Sequence, residues 1–184
     1  MRVTTGLLKG MKIRTPSGDR VRPTKSNVRE AVFNFLGQVL IGKTFTDLCS
    51  GSGSMGIEAI SRGASEVFFV ESESRCADII HENLLEVGRR LGSEQKFRLY
   101  KERFQLFLER GVESDIVYCD PPYEFFSRTG VDSLPLDASV ADEGLFLLEH
   151  SRHSLPKIPE TLGSLVLLKT RKYGLAQISV FQKL

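Results

Sequence analysis

The stretch DLCSGSGSMGIEAISRGASEVFFVE, Asp47–Glu71, is the most informative part of the chain. Together with Thr44–Thr46 it opens as an apolar run of strand length that ends at a cluster of glycines. A short helical pattern, MGIEAISRG, follows, and EVFFVE returns as a run apolar on both faces, the mark of a buried strand. Gly51, Gly53 and Gly56 stand at the spacing G-x-G-x-x-G. Glycines so placed allow a tight turn and let a ligand approach the backbone closely. A glycine loop alone is weak evidence of binding, because a helix can start after glycines for packing reasons.

Working outward, the alternation continues. CADIIHENLLEVG reads as a helix with Ala77, Ile80, Leu84 and Val87 on one stripe. KFRLY is a strand, FQLFLERG a helix ending at a glycine, DIVYC and GLFLLEH are strands, and SLVLLKT can pair with AQISVFQ through the turn RKYG. Strands alternating with helices imply right-handed crossovers and a parallel sheet covered on both faces. The short last connection makes the closing pair antiparallel. The expected fold is α/β: a mostly parallel seven-stranded sheet with an antiparallel last strand and helices on both faces. Gly130 and Pro135 interrupt residues 123–144, where a broken or short helix is expected.

Upstream, Val28, Ala31, Val32, Phe35, Leu36, Val39 and Leu40 follow helical spacing, with Thr24, Ser26 or Asn27 as the cap. Before them, Gly10 and Pro16–Asp19 punctuate short strands or a hairpin. The expected division is an extension of residues 1–40 and a main domain of residues 41–184, within the 184-residue length of one ordinary domain.

The net charge of +2 conceals an asymmetry. Residues 1–30 hold eight basic side chains against Asp19 and Glu30, so +6, while the remainder carries 17 basic against 21 acidic, so −4. A basic arm on a mildly acidic body suits a polyanionic partner, though a solvated surface segment would look the same. Cys49, Cys76 and Cys119 are an odd number without CxxC spacing, which reads as reduced thiols in a cytoplasmic protein with no metal site. No run is long and apolar enough for a membrane span. His81, His150 and His153 read as surface residues.

Glu71 ends the second strand, 20 residues after Gly51. An acid there is placed to hydrogen-bond both hydroxyls of a ribose. Asp47 precedes the loop, with Ser50 and Ser52 around it. A carboxylate at this point opposes a pyrophosphate and favours an ammonium-bearing tail. An adenosine and an ammonium together point to S-adenosylmethionine rather than to a nicotinamide dinucleotide. The bland alternative is that Asp47 caps the turn.

VYCDPPYEFF, Val117–Phe126, ends the fourth strand, which lies beside the first, so Asp120 emerges next to the glycine loop. Pro121 and Pro122 fix φ and lack N–H donors, which stiffens the corner. The Asp120 carboxylate and the Pro121 carbonyl can accept hydrogens of an exocyclic amine, and Tyr123 can stack on its base. Holding those hydrogens draws the nitrogen lone pair towards an electrophilic methyl group.

Four blocks, RPTKSNVREAVFNFL, DLCSGSGSMGIEAISRGASEVFFVE, YCDPPY and the closing KYG with its strand pair, resemble the RsmD-type 16S rRNA (guanine-N2)-methyltransferases, in the same order along nearly the whole chain. The resemblance implies a Rossmann-like class I methyltransferase fold and S-adenosylmethionine as donor. It implies the N2 amine of a guanine in 16S rRNA as acceptor, with a small-subunit assembly particle as a possible setting. It implies a cofactor site of Asp47, Ser50, Gly51, Ser52, Gly53, Gly56, Glu71, Ser72, Arg103, Phe104 and Asp120. Asp120, Pro121 and Tyr123 are the implied catalytic group, and Arg22, Thr24, Lys25 and Arg29 the RNA contacts. One position departs: Arg103 stands where the family tends to carry an Asp or Asn against the adenine, which shifts that contact to the Phe104 backbone or elsewhere.

Three other readings compete. Asp-Pro-Pro-Tyr also serves adenine-N6 methyltransferases of DNA, which usually carry a further recognition domain. A non-catalytic RNA-binding protein on the same fold would be expected to have lost Asp120 or the loop. A small-molecule or protein N-methyltransferase leaves the basic arm unexplained.

Overall fold

The computed structural model describes residues 1–16, 26–92, 95–122, 125, 130–151, 153, 155 and 157–184. Eight strands form one sheet: β1 (Thr44–Leu48), β2 (Glu66–Val70), β3 (Lys96–Tyr100), β4 (Ser114–Cys119), β5 (Val140–Ser151), β6 (Thr161–Leu162), β7 (Leu165–Tyr173) and β8 (Ala176–Lys183). Their order is β3-β2-β1-β4-β5-β8-β7-β6. Strands β1 to β5 pair in parallel, and β8 runs antiparallel to both β5 and β7. The seven strands read from the sequence are all present. The eighth, β6, is a two-residue edge strand on the start of β7, too short to leave a periodic signal.

One face carries α1 (Ser26–Leu36), α2 (Ser54–Ser61) and α3 (Ser74–Leu91); their apolar side chains pack with Phe45, Val67, Phe69, Ile116 and Ile178. The other carries α4 (Phe104–Leu108) and two 3-10 turns, Val131–Ser133 and Leu136–Ser139, over Leu48, Val117, Phe146 and Phe181. These turns are the broken helix expected after Gly130. Ala77, Ile80, Leu84 and Val87 are buried as their spacing requires. In α1 the buried stripe is Val28, Arg29, Val32, Phe33 and Leu36, one step round from the expected Phe35. That rotation carries Arg29 into the interior.

Residues 1–13 fold back on themselves. Val3 N–H donates to the Met11 carbonyl, Ile13 N–H to that of Met1, and Arg2 bridges Lys12. The segment lies on α2: Leu7 N–H donates to the Ser61 carbonyl, and the Thr4 and Thr5 N–H groups donate to the Glu58 carboxylate. Val3, Leu8, Met11 and Ile13 join the same core as α1 and α2.

Candidate active site

Register brings four strand ends level. Leu48 pairs with Val70 and Cys119, and Val70 with Tyr100. The residues that follow therefore leave the sheet at one edge, the carboxyl edge where open α/β sheets hold ligands. Asp47, Ser50, Gly51, Ser52, Gly53, Gly56, Glu71, Ser72, Arg103, Phe104, Asp120 and Pro121 all lie at or next to this edge.

The loop is built from left-handed residues: Cys49 at φ 64°, Gly51 at 57° and Gly53 at 75°. Gly53 precedes the first turn of α2. Gly56 has a different task. A Cβ there would come within 2.2 Å of the Phe69 ring, so a glycine lets α2 pack directly on β2. The Ser50 hydroxyl donates to the Asp47 carbonyl at 2.6 Å and accepts from Val70 N–H at 3.0 Å, tying the ends of β1 and β2 together. The Ser52 carbonyl accepts from Asn83 of α3. Ser50 and Ser52 thus spend these groups on the frame of the loop.

Glu71 is half-buried at the end of β2. One carboxylate oxygen accepts from Gly51 N–H and the other from Glu73 N–H, each at 2.8 Å. Each oxygen can take a second hydrogen bond. The carboxylate is therefore held in place and keeps acceptor capacity. Ser72 and Arg103 are exposed, Arg103 just before α4; Phe104 is buried, with its ring 5.2 Å from that of Phe125.

Asp47 is 2% exposed, and its carboxylate accepts from Gly56 N–H at 3.0 Å. Burial raises its carboxyl from an ordinary 3.8 to about 7; the Gly56 bond opposes this and the Glu71 charge adds to it. A raised carboxyl binds its proton more tightly when folded, so its contribution to stability is full below about pH 4 and is lost as pH rises through about 7. Asp47→Asn, which keeps an acceptor for Gly56, should remove this dependence. Denaturant titrations from pH 5 to 8 cover about two of these pH units and should show the variant gaining on the parent by up to about 2.7 kcal/mol. A constant difference between the two would refute the assignment.

Asp120 is half-buried at the end of β4, its N–H 3.5 Å from the Leu48 carbonyl, and Pro121 is buried. Cys49 lies between the two acids. Its hydrogen bond with Cys119, together with enclosure, pushes its thiol well above the ordinary value, and the nearby Glu71 and Asp120 charges add to that. Beneath Asp120, the Tyr118 hydroxyl donates to the buried carboxylate of Glu149 at the end of β5. Burial first, then the charges of Glu149, Asp120 and Asp47, raise the Tyr118 phenol far up, so it stays a donor. The sequence reading missed Glu149. A signal existed: VFFV-E, VYC-D and LFLL-E are three apolar strands, each ending in an acid at the same edge.

Two expectations are corrected. Arg29 does not offer its charge to RNA. It is 1% exposed, with Nε 3.3 Å from the Glu58 carboxylate and Nη2 donating to the Arg2 carbonyl at 2.7 Å. His150 is a buried residue, not a surface one, and its Nε2 lies 2.9 Å from the Ser179 hydroxyl. His81 and His153 are exposed. Arg22, Thr24, Lys25 and Tyr123 lie outside the described residues. A surface groove of about 610 Å³ opens at the opposite edge, lined by Thr5, Leu7, Phe33 and Arg62 among others, away from the carboxylates.

Parallel strands with an antiparallel β8, a glycine loop after β1 and acids after β2 and β4 define a Rossmann-like methyltransferase fold. The chain belongs to the family described as Conserved hypothetical protein 95, whose model matches residues 1–182, the RsmD family. YlbH of Bacillus subtilis is 29% identical over 188 residues, covering 100% of this chain and 99% of that protein. Ribosomal RNA small subunit methyltransferase D of Escherichia coli is 30% identical over 165 residues, covering 86% of this chain and 79% of that protein. The solved structure of yhhF from Escherichia coli is 26% identical and superposes with a TM-score of 0.83, covering 100% of this chain and 97% of that one.

Proposed function

We propose that this chain is an S-adenosylmethionine-dependent rRNA methyltransferase that modifies the exocyclic N2 amine of a guanine in 16S rRNA, free or within a small-subunit particle. The observation that carries the reading is the Asp120–Pro121 corner, beside a left-handed glycine loop and in line with Glu71. The small-subunit rRNA methyltransferase named above supports the substrate class. Residues 41–184 would form the methyl-transfer unit, and residues 1–40 the RNA-contacting extension.

The residues fit this cofactor. Glu71 keeps acceptors for a ribose diol, and the bends at Gly51 and Gly53 bring backbone close to a ligand. Asp47, enclosed behind Gly56, acts on an ammonium group through its charge rather than by contact. When bound, the cofactor supplies a methyl group on a sulfonium, an electrophile. Asp120 and the Pro121 carbonyl hold the two amine hydrogens and so orient the nitrogen lone pair. Pro121 and Pro122 keep that geometry fixed. Asp120 accepts the proton the amine sheds, or passes it to water. Tyr123 stacks on the guanine, which must be flipped out or unpaired.

The deciding experiment offers labelled cofactor to 16S rRNA, small subunits, DNA and protein separately. Label is expected in N2-methylguanine of the rRNA. Label in adenine of DNA would replace this reading with the adenine-N6 one. Glu71→Ala should weaken cofactor binding by about 10- to 100-fold, the worth of hydrogen bonds to a charged group. Calorimetry that finds an unchanged Kd would remove Glu71 from the ribose.

A further inference from the structure

The β7 strand carries the run Lys169-Thr170-Arg171-Lys172 and no acidic residue. Its inner neighbour β8 sets Val180, Ile178 and Gln177 opposite Lys169, Arg171 and Lys172. On its outer side β6 pairs only with Leu165 and Val166, so among the described residues no strand covers Lys169–Tyr173. Arg171 and Lys172 are exposed, and among the described residues neither has a carboxylate partner. Lys169 is held over the Phe35 ring of α1, 3.8 Å from its centroid.

Register fixes where this charge lies. Arg171 pairs with Ile178 and Ile178 with Glu149, while Cys119 pairs with Leu148 one step earlier. Asp120, Glu149, Ile178 and Arg171 therefore stand in one row at the carboxyl edge. With three strand spacings between them, the Asp120 and Arg171 backbones are about 14 Å apart. Paired residues share a face, so Arg171 sits on the face of Asp120 and Lys172 on the opposite one. The two cations straddle the end of an open strand, a few nucleotides' reach from the amine-holding corner.

We propose that the exposed end of β7, through Arg171 and Lys172, is a second phosphate-contacting surface, which grips the RNA backbone next to the nucleotide held at Asp120. This rests on the RNA reading above and adds a surface that lies outside residues 1–40. The chemistry is that of a phosphodiester: a guanidinium and an ammonium on the two faces of one strand end, with Ile178 and Gln177 rather than acids opposite them, next to a sheet edge rich in carboxylates that would repel a backbone. Lysines on an edge strand also discourage strand addition between copies. That role would involve no dependence of RNA affinity on these two side chains.

The test measures the affinity of full-length protein for a 16S rRNA transcript, for assembled small subunits and for DNA of the transcript's length across a salt series, comparing the parent with Arg171→Gln/Lys172→Gln. Each lost phosphate contact lowers the slope of log affinity against log salt by about 0.7 to 0.9. The double variant should lose about 1.4 to 1.8 from the slope, with cofactor Kd and Tm unchanged. An unchanged slope overturns the proposal, whether affinity moves or not. A loss confined to assembled subunits, with the slope on free RNA intact, would assign the strand to a protein partner and also overturn it. If the parent prefers DNA, the RNA reading falls, while the slope on DNA still judges β7.

Discussion

Asp120→Ala is expected to lower single-turnover methyl transfer by about 10²- to 10³-fold, the usual effect of removing one preorganised electrostatic partner of a reacting group. Cofactor affinity should stay within about threefold, since Glu71 and the loop keep their own bonds. The backbone corner should survive because two prolines and the Asp120 N–H contact with Leu48 define it independently of the carboxylate. The variant thus separates holding the amine from holding the cofactor. Two measurements check it: the rate at saturating cofactor with rRNA as acceptor, and the Kd by calorimetry. A variant that methylates normally, or that loses only cofactor affinity, would move Asp120 from the acceptor to the donor side.

How far the sequence revealed the molecule depended on which patterns are periodic. Five parallel strands and the closing pair announce themselves as apolar runs between turns, and the sheet order follows from crossovers. The positions of Glu71 and Asp120 at neighbouring strand ends are legible because each directly follows a buried apolar run, although such an acid can also have structural work, as Glu71 does in accepting from Gly51 and Glu73 N–H. Gly56 was legible as a motif member but not as what it is, a place where Phe69 meets a helix backbone. Asp47 shows the reverse: the cap-like bond to Gly56 was the bland alternative, and it exists. His150 ends a strand, which suggested exposure, but β8 runs alongside and Ser179 covers it. Glu149 was legible as a third acid after an apolar run, but its pairing with the Tyr118 hydroxyl was not, because that partner comes from another strand. Such pairings lie in tertiary contacts, and no window of sequence contains both partners.

Arg29 is the most instructive case, and breaking its ion pair should have the largest effect on stability. Arg29, Val32, Phe33 and Leu36 fall at i, i+3, i+4 and i+7, so the buried stripe of α1 includes a cation that charge counting assigned to the surface. Its partner Glu58 is fully buried in α2 and also accepts from Thr4 N–H, Thr5 N–H and Arg62 Nε. One carboxylate thus joins the N-terminal segment, α1 and α2. Glu58→Ala strands the guanidinium in the core and leaves two backbone donors without this acceptor, which should cost about 3 to 5 kcal/mol. For a chain of this size each kcal/mol shifts Tm by roughly 2 to 4 °C, so melting should fall by about 10 °C. Arg29→Met should cost less, because it removes the buried charge together with its demand for a partner. If Arg29 instead met RNA, Arg29→Met would lower the salt slope of RNA binding and leave Tm in place. The expected pattern is the opposite: a lower Tm, the parent's slope in the folded fraction, and Glu58→Ala below Arg29→Met in stability. Equal melting of all three proteins would mean that the pair contributes nothing and that the N-terminal segment is held by its apolar side chains alone.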